Sequence, residues 1–169
     1  MEQRAVGRTG LRVSELGLGT MTWGRDTDPL DASMMLTEFL DAGGTLVDTA
    51  AGYSDGGAEA LLGEFLAGGI SRSDVVIATK AGVRTWRSDR AVVDASRGTI
   101  LDSLDASLAR LGTDHVDVLL VQAPDPSTPM EETAHALATA VETGRARYVG
   151  VSNHAGWMCA HMAGLLRPG

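Results

Sequence analysis

Val116-Asp117-Val118-Leu119-Leu120-Val121 is apolar without a break after Asp117. A run of that length and composition reads as a strand covered on both faces, which is how strands of a parallel sheet are found. Working outward, Thr128-Pro129 with Glu131-Glu132 opens a helix that runs to Thr143 and stops at Gly144. Arg145 to Ser152 is the next strand, and a helix follows from about Ala155. Upstream, Asp94 or Ser96 opens a helix in which Ile100, Leu104, Leu108 and Leu111 recur at steps of three and four. Before it lie a strand at Val75 to Thr79, a helix at Ala58 to Leu66, a strand at Thr45 to Asp48, a helix at Pro29 to Ala42 and a strand at Glu15 to Leu18. Arg4 to Val6 and Leu11 to Val13 flank Gly7-Arg8-Thr9-Gly10 as a hairpin. The order is a hairpin followed by five βα units over residues 1–169, read as one domain, which implies a parallel sheet with helical crossovers. An open doubly wound sheet and a closed eight-stranded barrel both fit. Gly17-Leu18-Gly19 continues as Thr20-Met21-Thr22 rather than as a Gly-x-Gly-x-x-Gly turn, which weakens the first. The second calls for about 250 residues.

Composition narrows the functional classes. Of 169 residues, 44% are apolar and 21% charged, as in a globular domain. Apolar runs are broken well short of the ~18 residues that a membrane helix needs, and the start, MEQRAVGRTG, lacks the apolar stretch of a secretory leader, so a cytoplasmic protein is expected. A net charge of −8 with no basic stripe argues against nucleic acid. Cys159 is the single cysteine, and no metal-ligand cluster surrounds it.

In parallel α/β folds chemistry collects at the carboxyl ends of strands. Those ends carry Asp48, Lys80, Gln122 and Ser152-Asn153, with Tyr53 five residues beyond Asp48. Thirteen of the fourteen basic residues are Arg, and Lys80 is the exception. A compact ammonium at a strand end suits a crowded site better than a guanidinium fork. A cation beside a phenol favours its ionised form, so Lys80 would tune Tyr53 for proton transfer while Asp48 holds Lys80 in place. An ordinary Asp–Lys ion pair with a loop tyrosine is the plainer alternative.

At these residues the chain resembles a known family. Asp48-Thr49-Ala50-Ala51-Gly52-Tyr53-Ser54-Asp55-Gly56-Gly57-Ala58-Glu59-Ala60-Leu61-Leu62-Gly63 is similar to the aldo-keto reductase signature. Ala78-Thr79-Lys80-Ala81-Gly82, Leu16-Gly17-Leu18-Gly19-Thr20-Met21, Val116-Asp117-Val118 with Pro124-Asp125-Pro126-Ser127-Thr128-Pro129, and Gly150-Val151-Ser152-Asn153 resemble further family segments. The resemblance implies a (β/α) TIM-type barrel, here incomplete at about five of eight strands, with an N-terminal β-hairpin. It implies reduction of an aldehyde or ketone with NADPH. By resemblance Tyr53 is the general acid, Lys80 tunes it and Asp48 pairs with Lys80. Gly19, Thr20, Met21, Asp48, Ser152 and Asn153 would lie along the cofactor. Trp23 would wall the substrate pocket beside Tyr53, with a core position as its alternative.

Two departures from the family pattern follow. Gln122 stands where the family usually has His, and an amide donates a hydrogen bond but does not titrate. The chain ends at Arg167-Pro168-Gly169, before a sixth strand. Five strands do not close a barrel, so apolar inner-face residues such as Val47, Ile77 and Leu119 are expected to lack partners, and self-association through the open edge is expected. A non-catalytic binding or regulatory module on the same fold is the alternative function.

Overall fold

In the computed structural model, which describes residues 1–86 and 90–166, five strands form one parallel sheet. The ending Arg167-Pro168-Gly169 lies outside the described residues. Strands β1 (Gln3–Ala5) and β2 (Arg12–Ser14) make the N-terminal antiparallel hairpin. Then come β3 (Gly17–Gly19), α1 (Pro29–Asp41), β4 (Leu46–Asp48), α2 (Gly57–Ala67), β5 (Val76–Ala81), β6 (Val83–Trp86), β7 (Arg90–Val93), α3 (Arg97–Leu111), β8 (Val116–Val121), α4 (Met130–Glu142), β9 (Ala146–Val151) and α5 (Gly156–Leu165). The sheet order is β3-β4-β5-β8-β9, and each neighbouring pair is parallel. Spatial order follows chain order without reversal. A doubly wound sheet reverses at a switch point, whereas a barrel adds each strand on the same side, so the barrel-type reading is the one observed.

Two features differ from the sequence expectation. An antiparallel hairpin, β6–β7, is inserted after β5, with Val83 opposite Val93 and Trp86 opposite Arg90. The first sheet strand begins at Gly17 rather than Glu15. The Ser14 hydroxyl donates to the Leu16 carbonyl at 2.6 Å and accepts from the Thr45 and Leu46 amides, so the chain bends there before it joins the sheet.

Local chemistry sets the helix ends. The Asp28 carboxylate accepts from the amides of Leu30 (2.9 Å) and Asp31 (3.0 Å), capping α1 ahead of Pro29. Helix α3 stops where Gly112 adopts φ +64°, a conformation that Gly tolerates best. Its buried stripe is Ile100, Leu104, Ser107 and Leu111, with Leu108 packed at its margin. Helices α2, α3, α4 and α5 pack in succession and form one layer over the sheet. No described helix is long and apolar enough to cross a membrane.

Strand register decides which side chains meet that layer. Val47 and Ile77 are paired, as are Thr79 and Leu119, and Thr79 donates to Glu59 on α2. This row therefore faces the helices, and Val47, Ile77 and Leu119 are fully buried there. The expectation that they line an open inner face is corrected, because side chains alternate along a strand and one step of register reverses the face. The inner face instead carries Leu46, Val118, Leu120 and Tyr148, each half-buried, together with Asp48 and Lys80.

Helices α2 and α3 approach closely at Gly63, where an added Cβ would overlap the Arg110 carbonyl. Gly63→Ala should destabilise the fold by about 1–3 kcal/mol through overpacking, read as a lower denaturant midpoint. The loop after β8 is held by Asp125, whose carboxylate accepts from the Ala95 amide (3.0 Å), the Ser127 amide (2.8 Å) and the Thr128 hydroxyl (2.7 Å). Burial opposes its ionisation, but those donors outweigh burial and hold the carboxyl below its ordinary value. A depressed folded-state value means stability that is present above about pH 4 and lost as pH falls through the lowered value. Asp125→Asn should therefore lower the thermal midpoint at neutral pH and flatten its decline in acid.

Candidate functional site

The Lys80 side chain rises from β5 on the inner face and is 7% exposed. Its ammonium donates to Asp48 Oδ2 at 2.7 Å, to the Thr49 carbonyl at 3.1 Å and to the Tyr53 hydroxyl oxygen at 3.1 Å. An ammonium has three protons, and these acceptors answer all three. Asp48 ends β4, the strand beside β5, and its register partner is Ala78, two residues before Lys80 on the same face. Tyr53 opens a short 3₁₀ turn, Tyr53–Gly56, in which Ser54 (φ +50°) and Asp55 (φ +56°) are left-handed. That strained turn is anchored by the Ser54 hydroxyl, which donates to the Trp23 carbonyl at 2.6 Å. Because the Tyr53 oxygen accepts from Lys80, its own proton is available to a group on the open side.

Gln122 follows β8, one strand over. Its amide hydrogen bonds to the Ala81 carbonyl at 2.9 Å, and its carbonyl accepts from Asn153 Nδ2 at 2.8 Å. Among the described residues the buried side-chain Oε1 has no donor, and the buried Thr49 Oγ1 has no partner. A Cβ added to Gly52 would lie 3.6 Å from that oxygen, so the Gln122 amide sits against the segment that leads into Tyr53. Ser152 and Asn153 stand at the end of β9, and Asn153 is left-handed at φ +61°, held in place by its bond to Gln122. Asp48, Tyr53, Lys80, Gln122, Ser152 and Asn153 thus gather along one carboxyl edge. Gly19 ends β3 at the same edge, and a side chain there would meet nothing within 4 Å.

The remaining expected cofactor and pocket residues take three different positions. Thr20 is fully buried, and its amide (3.0 Å) and hydroxyl (3.2 Å) both donate to the Asp48 carbonyl, so it anchors Asp48 from below. Met21 is exposed on the loop that follows. Trp23 does not wall a pocket: it is 1% exposed and packs edge-to-face on Phe65 with ring centroids 5.8 Å apart. It takes the core position because the turn after Thr20 directs its large ring inward, where it removes the most apolar surface from water. Reading the sequence missed the Thr49 carbonyl as the third acceptor for Lys80, since a main-chain oxygen leaves no residue signal. A cleft of about 300 Å³ lies between Ala51-Gly52 and α3, and none of Asp48, Tyr53, Lys80 and Gln122 lines it. Those four face the open inner side of the sheet instead. Among the described residues no cluster of His, Cys, Asp and Glu could hold a metal ion.

The residues at this edge fit a nicotinamide-type group in one testable respect. Asn153 at the end of β9 is exposed, and its side-chain amide, held by the Gln122 carbonyl, can pair with a carboxamide. Comparison with known proteins agrees with the geometry. Residues 15–166 match the model of the Aldo/keto reductase family. Aldo-keto reductase YhdN of Bacillus subtilis is 35% identical over 158 residues, covering 90% of this chain and 47% of that protein. L-glyceraldehyde 3-phosphate reductase of Escherichia coli is 37% identical over 172 residues, covering 99% of this chain and 49% of that protein. The solved structure of aldo-keto reductase AKR11C1 from Bacillus halodurans, in its holo form, superposes with a TM-score of 0.83 at 34% identity, covering 90% of this chain and 50% of that one. The chain spans about half the length of these relatives. With a match over nearly all its residues and a parallel sheet of the same build, the chain belongs to the aldo/keto reductase family.

Proposed function

We propose that the chain carries the proton-handling part of an NADPH-dependent reductase of aldehydes or ketones, working in the cytoplasm. The observation that carries this reading is the Lys80 ammonium, 3.1 Å from the Tyr53 oxygen and 2.7 Å from Asp48. Ser152, Asn153 and the Gln122 side chain would hold the nicotinamide end, with Gly19 and Met21 beside it. When bound, the dinucleotide supplies the hydride. Everything else falls to this chain's own residues.

Tyr53 donates its hydroxyl proton to the carbonyl oxygen of the substrate as negative charge develops there. Lys80 stabilises the phenolate that Tyr53 becomes, at the distance of a charge-assisted hydrogen bond. Asp48 and the Thr49 carbonyl fix the ammonium so that it does not reorient at the moment of transfer. Gln122 offers its amide N–H as a neutral donor to the same carbonyl oxygen. An amide polarises that oxygen less than a protonated imidazole does, so turnover is slower than a histidine there would give.

A second reading, a binding or regulatory module without turnover, is favoured by that same residue. Gln122 does not titrate, and its buried oxygen has no partner among the described residues. One assay separates the two: NADPH oxidation with a reactive aldehyde, followed by absorbance for the 169-residue chain and for any longer product of the same reading frame. Under the reductase reading Tyr53→Phe lowers turnover by at least about a hundredfold, and Gln122→His raises it. A rate indifferent to Tyr53→Phe removes Tyr53 as the acid and leaves the binding module.

Self-association belongs to the same proposal. The half-exposed inner face of Leu46, Val118, Leu120 and Tyr148, with the outer edges of β3 and β9, favours pairing with a second chain. Light scattering after sizing chromatography should show a mass above that of one 17.6 kDa chain. A sharp monomer at all concentrations would refute it.

A further inference from the structure

Behind the sheet, directly under the Tyr53–Lys80 pair, a carboxylate is buried that the proposed chemistry does not use. Glu59 on α2 is fully buried. Its Oε1 accepts from the Thr79 hydroxyl, and its Oε2 accepts from Arg110 Nε (2.8 Å) and Nη2 (2.6 Å) on α3. One side chain thereby ties together α2, β5 and α3. What those elements carry matters. Thr79 immediately precedes Lys80 on β5. Helix α2 begins at Gly57, the residue after the turn that holds Tyr53.

Arg110 adds a second contact to that turn. Gly56 adopts φ +89°, and a Cβ on it would lie 2.8 Å from Arg110 Cδ and Nε. The guanidinium stem therefore runs immediately beneath the exit of the Tyr53 turn. Arg110 Nη2 is also held by the Ser107 hydroxyl at 3.2 Å. The Tyr53 turn is clamped from two sides: by Ser54 on the Trp23 carbonyl in front, and by Arg110 and Glu59 behind.

We propose that Glu59, acting with Arg110, is a positioning residue: it sets the distance and angle between the Tyr53 hydroxyl and the Lys80 ammonium from the helix side of the sheet. The chemical reason is rigidity. A buried carboxylate bonded to several partners has few alternative arrangements, so it transmits a fixed geometry rather than a compliant one. The apolar core of the same layers, which includes Leu62 and Ile77, holds them together without fixing a direction as bonded charges do. The proposal rests on the reductase reading only for its kinetic consequence; the geometric consequence stands without it.

The chain has two tyrosines, Tyr53 and Tyr148, so labelling tyrosine at Cζ gives two resonances, which Tyr148→Phe assigns. Four variants are compared: Glu59→Gln, Arg110→Met, Arg110→Lys and Thr79→Val. The Tyr53 resonance should shift and broaden in Glu59→Gln and Arg110→Met, less so in Thr79→Val, and return toward its original position in Arg110→Lys, with Tyr148 unmoved throughout. In a form that turns over, kcat should fall roughly ten- to a hundredfold for Arg110→Met with KM nearly unchanged, as misplacement of a reacting group does. If the folded variants lose only thermal stability while the Tyr53 resonance and kcat stay put, the pair is a core fastener and the proposal is overturned. Should Glu59→Gln fail to fold, Thr79→Val, which removes one hydrogen bond at almost constant shape, decides the matter. A Tyr53 resonance that moves in a protein without turnover supports the positioning role while the reductase reading fails. Intact turnover with an unmoved Tyr53 does the reverse.

Discussion

An ammonium taken out of water must have its protons answered, and Lys80 draws three acceptors, from the end of β4 and the turn beyond it, to meet that need. Asp48 comes from the neighbouring strand, the Thr49 carbonyl from the residue after it, and Tyr53 from the turn beyond. None of these contacts is local in sequence to Lys80. Each depends on β4 and β5 lying side by side in a fixed register, with Asp48 opposite Ala78. Were the register to slip by one residue, Asp48 would pass to the helix side and the charge would be stranded. The sheet and the site are thus one constraint seen at two scales.

The two faces of the sheet divide the labour. On the helix side, Val47, Ile77, Thr79 and Leu119 meet α2, α3 and their neighbours, and that burial supplies cohesion. On the inner side the same strands show Asp48, Lys80 and half-covered apolar residues. Polar groups that cross between layers do so at few points. Arg72, bonded to Asp117 and to the Val75 and His115 carbonyls, closes the amino-terminal end of the sheet. Glu59 crosses near the carboxyl end. Arg72 thus fastens the end opposite the candidate site, where parallel α/β folds generally keep residues for stability.

Much of this was legible in the residues, and the reasons are particular. The lone lysine drew attention to its strand end because thirteen arginines made it conspicuous. The alternation of apolar runs with helical spacing gave the βα order, and the strand ends named Asp48, Lys80 and Gln122. Facing, by contrast, was misread for Val47, Ile77 and Leu119, since a short strand that is apolar throughout shows no alternation to read. The β6–β7 hairpin escaped because its residues are neither continuously apolar nor bounded by a recognised turn pair. Trp23 was ambiguous in sequence, as a large aromatic near a site serves packing as readily as recognition, and only its burial decides. Thr20, expected along the cofactor, also supports the Asp48 main chain, a bond that the sequence did not announce. Acceptors that belong to the backbone, such as the Thr49 carbonyl bonded to Lys80, have no letter of their own.

The identity of spatial and chain order in the sheet bears on how the molecule comes into being. Every parallel strand from β4 onward pairs with a sheet strand already made, so no segment waits for a partner still to be synthesised. Contacts between successive βα units keep loop closures short, and short closures cost less entropy before they are rewarded. On the ribosome such a chain grows its sheet from the amino terminus, each helix sealing the strand pair before it. Of the described strands β9 is made last, and it takes its place at the edge of the sheet against β8, which is already paired with β5.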